Sequence, residues 1–221
     1  MIDPRKAERL LNSPIYFDID AALKRGWELF KAEPVILIVY FLVVLLVQVI
    51  PTFYLEDFAG LISILISPPL IAGFYLIANK ISRGETVEFK DCFDGFKFWL
   101  PVVSVNIIVG IITLLGLIAL ILPGIYLAVA YSFALPFVLF GGTEFWTSME
   151  LSRKLITKIW WRFFAFALLL MVINIVGLLF LGVGLLVSGA VSYMAVYAAF
   201  EDLAGDLLQE GEVENPPVAN D

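Results

Sequence analysis

The chain has 221 residues, 61% of them apolar and 16% charged, with a mean hydropathy of +0.96. Soluble domains run nearer half apolar and a quarter charged, so an ordinary soluble enzyme is excluded, and 19 Phe, 8 Tyr and 5 Trp exclude a disordered chain. Cys92 is the only cysteine, histidine is absent and the net charge is -7. These exclude an internal disulfide, remove the commonest catalytic base and nitrogen metal ligand, and argue against nucleic acid as a partner.

In chain order, residues 1–34 are mixed and charged, unlike a cleavable leader. A membrane core takes about 20 apolar residues as a helix. An uncharged run follows Pro34, Glu56 and Asp57 interrupt it, and a second run covers Phe58 to Asn79. After the charged stretch Lys80–Lys97, Phe98 to Gly142 carries no charge over 45 residues, which fits two helices joined near Leu122-Pro123-Gly124. A charged stretch to Arg162 precedes Phe163–Phe200, split at Gly182-Val183-Gly184. Six spans result: about 35–51, 58–79, 98–122, 124–141, 163–181 and 185–200. They form a domain over 17–205, between an N-terminal segment (1–16) and an acidic tail (206–221) expected to be disordered.

The basic residues test this count independently. Six lie before the first span, four between Lys80 and Lys97, and four between Arg153 and Arg162, which is every one of the 14. With six spans all fall on one side, and the positive-inside rule makes that side cytoplasmic, both termini included.

Each charged segment reads as an amphipathic helix preceding a helical hairpin, an all-α, threefold repeat. In the first, Ile19, Ala22, Leu23, Gly26, Trp27 and Phe30 share a face. In the second, Phe89, Cys92, Phe93 and Phe96 do, and in the third Phe145, Met149, Ser152, Ile156 and Ile159. Trp27, Phe93, Phe96, Trp160 and Trp161, with Lys24, Arg25, Lys97 and Arg162, form a candidate lipid interface, suited to membrane lipids and to anionic ones in particular. The same helices would equally pack on the end of the bundle. An unknown membrane or cytoplasmic protein is the other partner class. Small residues recur every fourth position in the even spans: Ala59, Ser63, Ser67; Gly124, Ala128, Ser132; Gly184, Ser188, Ser192. That spacing predicts inner even helices and more lipid-exposed odd ones.

No expected span contains Asp, Glu, Lys or Arg, which argues against a proton pump. The candidate intramembrane polar contacts are Asn106, Asn174, Tyr126, Ser132, Ser188 and Ser192. The two Asn serve either as interhelical glue or as the border of a polar cavity. Pro68-Pro69 and Pro136 interrupt backbone bonding within spans, either to present backbone groups to a substrate or as kinks re-satisfied by Ser63, Ser67 or Ser132. No catalytic, cofactor or metal motif occurs.

One series of motifs is characteristic: Arg83-Gly84-Glu85, Phe89-Lys90-Asp91, Phe93-Asp94-Gly95-Phe96, then Leu122-Pro123-Gly124-Ile125-Tyr126-Leu127, Ala134-Leu135-Pro136 and Glu150-Leu151-Ser152-Arg153-Lys154-Leu155. Over residues 17–203 it resembles the membrane domain of bacterial glycerophosphoryl diester phosphodiesterases and related stand-alone bacterial and archaeal membrane proteins of unassigned function. The resemblance implies a polytopic helical domain in a bacterial or archaeal plasma (inner) membrane, and no activity. The phosphodiesterase chemistry belongs to a separate barrel of about 250 residues, which these 221 mostly apolar residues do not contain. The expected function is therefore a non-enzymatic membrane protein in contact with lipid or a partner. The rival is a transporter or channel for a small neutral or amphipathic substrate.

Overall fold

The computed structural model describes residues 8, 11–54, 56–180 and 182–208, and among these it is helical without strands. The ordered elements are α1 (Ile19–Ala32), α2 (Pro34–Tyr54), α3 (Glu56–Ser82), a 3₁₀ helix (Phe89–Phe98), α4 (Trp99–Ala119), α5 (Ile121–Ala130), α6 (Ala134–Gly141), α7 (Phe145–Lys158), α8 (Trp160–Leu179) and α9 (Val183–Leu208). Among the described residues, six stretches are long and apolar enough to cross a membrane: Pro34–Tyr54, Asp57–Ser82, Phe89–Ala119, Ile121–Gly141, Trp160–Leu179 and Val183–Gly205. The last helix runs on to Leu208, three residues into the expected tail, and 209–221 lie outside the described residues.

Local chemistry sets the boundaries. Asp18 caps α1 by accepting from the Ala21 N–H at 3.1 Å. Glu33, placed before a proline, leaves the helical region (φ -137°, ψ 59°), and Pro34 starts α2, where a missing N–H costs nothing. The α4–α5 turn falls at Leu120, in extended conformation, and not at the expected Leu122-Pro123-Gly124. Pro123 sits instead in the first turn of α5, where its fixed φ suits a helix start. Gly182 closes the α8–α9 turn at φ 74°, a value glycine adopts without steric cost.

Packing separates these six stretches into two classes. About half of each even stretch is buried (56%, 50% and 50%), against 28%, 17% and 22% of the odd ones. The small-residue stripes explain this only in part. Ser188 is buried and Gly184 and Ser192 half-buried, but Ser63 and Ala128 are exposed. The largest fully buried side chains are aromatic. One cluster holds Tyr40, Phe41 and Phe74 with Tyr193, which stacks on Phe74 at 4.6 Å between ring centroids. A second holds Phe17, Phe133, Phe137, Phe163, Phe166 and Phe200.

The charged segments are packed elements, each against an even-numbered apolar stretch. Segment α1 lies on α9, where a Cβ on Gly26 would overlap the Ala195 backbone. The 3₁₀ helix follows α3 through contacts of Asp91 with Lys80, Cys92 with Gly73 and Gly95 with Pro69, and Trp99 at the start of α4 continues the line to Leu65. Helix α7 packs along α5 and α6. The second segment therefore buries Asp91, Cys92 and Gly95, the last two three residues apart, and leaves Phe89, Phe93 and Phe96 about 40% exposed, unlike the 3.6-residue face expected. A 3₁₀ helix rises about 2.0 Å per residue, and glycine at 95 lets it approach the Pro69 carbonyl closely. In α1 the buried face is Ala22, Gly26, Leu29 and Phe30, with Trp27 45% exposed. In α7 Met149, Ser152, Ile156 and the following Ile159 are buried as expected, and Phe145 is not.

Candidate functional site

The proline interruptions are satisfied by partners from other elements. Pro69 has no N–H to return to the Leu65 carbonyl, which instead accepts from Trp99 Nε1 at 2.9 Å. The Tyr40 hydroxyl donates to the adjacent Leu70 carbonyl at 2.7 Å. Ser67, expected to compensate here, is buried and its hydroxyl has no hydrogen-bond partner, and the hydroxyl of half-buried Thr113 has none either. At the break between α5 and α6, Ser152 of α7 accepts from the Phe133 N–H (3.1 Å) and donates to the Ala130 carbonyl (2.8 Å). Ser132 only returns to the Ala128 carbonyl of its own helix, at 3.4 Å.

The two Asn candidates are not brought together. Asn174 Nδ2 donates to the Leu170 carbonyl (2.9 Å) and Ser192 Oγ (2.8 Å), and its Oδ1 accepts from Ser188 (2.9 Å). Ser192 donates on to the Ser188 carbonyl at 2.7 Å. This network joins α8 to α9, beside the close approach of Gly177 to Gly184. Asn106 makes the corresponding bond to its own helix, to the Val102 carbonyl at 3.0 Å.

A polar cluster missed by the sequence reading ties α1, α3 and α9. Arg25 donates to Ser82 Oγ (3.0 Å) and lies 3.8 Å from the Glu201 carboxylate, Ser82 donates to Glu201, and Tyr197 donates to it at 3.4 Å. Asn79 donates to the Tyr197 hydroxyl at 2.8 Å. No local pattern signals a meeting of residues more than 100 positions apart. Lys97 pairs with Asp94 at 2.7 Å, and Lys24 is exposed.

The most site-like feature lies where α7 meets α8. A groove of ≈ 840 Å³ is lined by the N-terminal segment at Ile15 and Tyr16, by Leu122, Ile125 and Tyr126 of α5, and by the chain from Thr157 to Arg162 with Phe164. The Tyr126 and Thr157 hydroxyls are 2.7 Å apart, and Trp160 Nε1 donates to the Tyr126 carbonyl at 3.4 Å. Trp160 stacks on Phe164 (5.0 Å) and meets Trp161 edge-on (4.8 Å). Arg162 lies over the Tyr16 ring, 4.4 Å from its centroid, and donates to the Phe17 carbonyl at 3.2 Å. Phe17 is buried against Phe163 and Phe166, which anchors that wall. Arg153, nearby, donates twice to Glu150 (2.9 and 2.8 Å). Those bonds, with Lys154 at 3.3 Å, hold the Glu150 carboxyl below the usual carboxylate range. The groove thus joins candidates read separately from the sequence, Tyr126 with Trp160, Trp161 and Arg162. An apolar trough with cations at its edge suits an amphipathic anion.

Among known proteins, no family model, no curated protein and no solved structure matches this chain significantly.

Proposed function

We propose that the chain is a non-enzymatic integral protein of a bacterial or archaeal plasma membrane, in the manner of the membrane domains it resembles, and that its basic face engages membrane lipid. In this reading both termini are cytoplasmic. Each of three units is an interfacial segment followed by a hairpin, and each segment packs on the inner helix of the preceding unit, the first on the last. Support for the repeat comes from Gly26, Gly95 and Ser152, which occupy comparable close contacts with Ala195, with Pro69 and with the Ala130–Phe133 break.

The observation that carries the lipid reading is the basic, aromatic groove at the α7–α8 junction. The rival transport reading needs a polar path through the centre. Asn174, its best candidate, already bonds Ser188, Ser192 and the Leu170 carbonyl, which supports glue over lining. The test is thermal unfolding of the full chain in nanodiscs of phosphatidylglycerol against phosphatidylcholine. A higher midpoint in phosphatidylglycerol is expected, and equal midpoints would remove the lipid role. Release of small neutral solutes from proteoliposomes above the protein-free rate would favour transport instead.

A further inference from the structure

The groove supports a more specific assignment, which rests on the lipid reading. We propose that it seats one anionic phospholipid, with the headgroup phosphate on Arg162 and Lys158 and the upper acyl chain along Ile125, Trp160 and Phe164.

Charge complementarity points to that occupant. Most described basic residues are already matched by carboxylates: Arg25 with Glu28 and Glu201, Lys80 with Asp91, Arg83 with Glu85, Lys90 with Glu88, Lys97 with Asp94, and Arg153 and Lys154 with Glu150. Among the described basic residues, Lys24, Lys31, Lys158 and Arg162 have no carboxylate within ion-pair distance, and of these four Lys158 and Arg162 line the groove. Arg162 is held from behind by the Tyr16 ring and the Phe17 carbonyl. A guanidinium carries five N–H donors, so one bond to Phe17 leaves the capacity to grip a phosphate through two oxygens. The first turn of α8, which contains Arg162, adds the positive end of a 20-residue helix. The remaining walls are apolar and aromatic, which a free phosphate does not use and an acyl chain does. Tryptophan and tyrosine beside basic side chains are the side-chain chemistry of the headgroup level.

The test is native mass spectrometry of the full chain titrated with phosphatidylglycerol or phosphatidylcholine, with inorganic phosphate as a competitor. One phosphatidylglycerol should be retained in preference to phosphatidylcholine. Lys158→Gln with Arg162→Gln should weaken that binding by about 30-fold, from the usual contribution of two basic residues near an anionic surface. Lys31→Gln and Lys31→Ala, at an exposed position of α1, should leave it unchanged. Lys158→Glu tests the same point where no tertiary bond is removed, in case loss of the Arg162 bond to Phe17 harms folding, and it should also weaken binding. If phosphatidylglycerol is preferred but the groove variants bind like the α1 variants, the groove assignment fails and the general lipid reading stands. No preference in the unmodified chain defeats both. Full displacement by inorganic phosphate overturns the lipid as occupant.

Discussion

Ser152→Ala should be among the most damaging small substitutions in this protein. Its hydroxyl is fully buried and makes two bonds at the break between α5 and α6, accepting from Phe133 at 3.1 Å and donating to Ala130 at 2.8 Å. Removing it leaves an N–H and a carbonyl in an apolar interior, and a buried unsatisfied polar group costs about 1–3 kcal/mol. Hydrogen bonds between membrane helices average about 0.6 kcal/mol and reach about 1.7 kcal/mol, because the unfolded chain in lipid finds other partners. Two bonds lost together should therefore cost about 1–3 kcal/mol. Ser132→Ala is the comparison: its 3.4 Å bond stays within one turn, and its loss should cost less than about 0.5 kcal/mol. The assay is reversible unfolding by titrated dodecyl sulfate in mixed micelles, followed by tryptophan fluorescence. If Ser152→Ala loses no more stability than Ser132→Ala, the hydroxyl does not hold the break together, and Pro136 with the surrounding aromatic packing maintains it without that bridge.

A glycine pair tests the packing of the 3₁₀ helix: Gly95→Ala drives a methyl into the Pro69 carbonyl and should destabilise by about 1–3 kcal/mol. Gly110→Ala, with nothing within 4 Å, should be neutral or gain about 0.5–1 kcal/mol in the same assay, and equal losses would refute the contact. On a Cys92→Ser background, a cysteine at Gly84 should resist a membrane-impermeant thiol reagent in intact cells and one at Asp57 should react; the reverse pattern would invert the topology.

Composition and hydropathy were enough to specify a helical chain with six membrane-length stretches, because a helix that crosses lipid demands a run of about 20 uncharged residues, which the order of residues alone reveals. The turn at Gly182 was equally legible, since a positive φ favours glycine. The turn at Leu120 was not, because Pro123 has two uses, ending one helix or starting the next, and only the packing of Gly116 against Gly124 chose between them. Tryptophan and basic residues at 160–162 suggested a candidate interface by their type alone. That Tyr126 and Tyr16 stand beside them was decided by the fold, through the break at 131–133 and the anchoring of Phe17 on α8. Ser152 shows the same division. Its place on the buried face of α7 follows from helical periodicity, but its bonds to Ala130 and Phe133 depend on which backbone groups the break leaves free, and this only the tertiary structure determines.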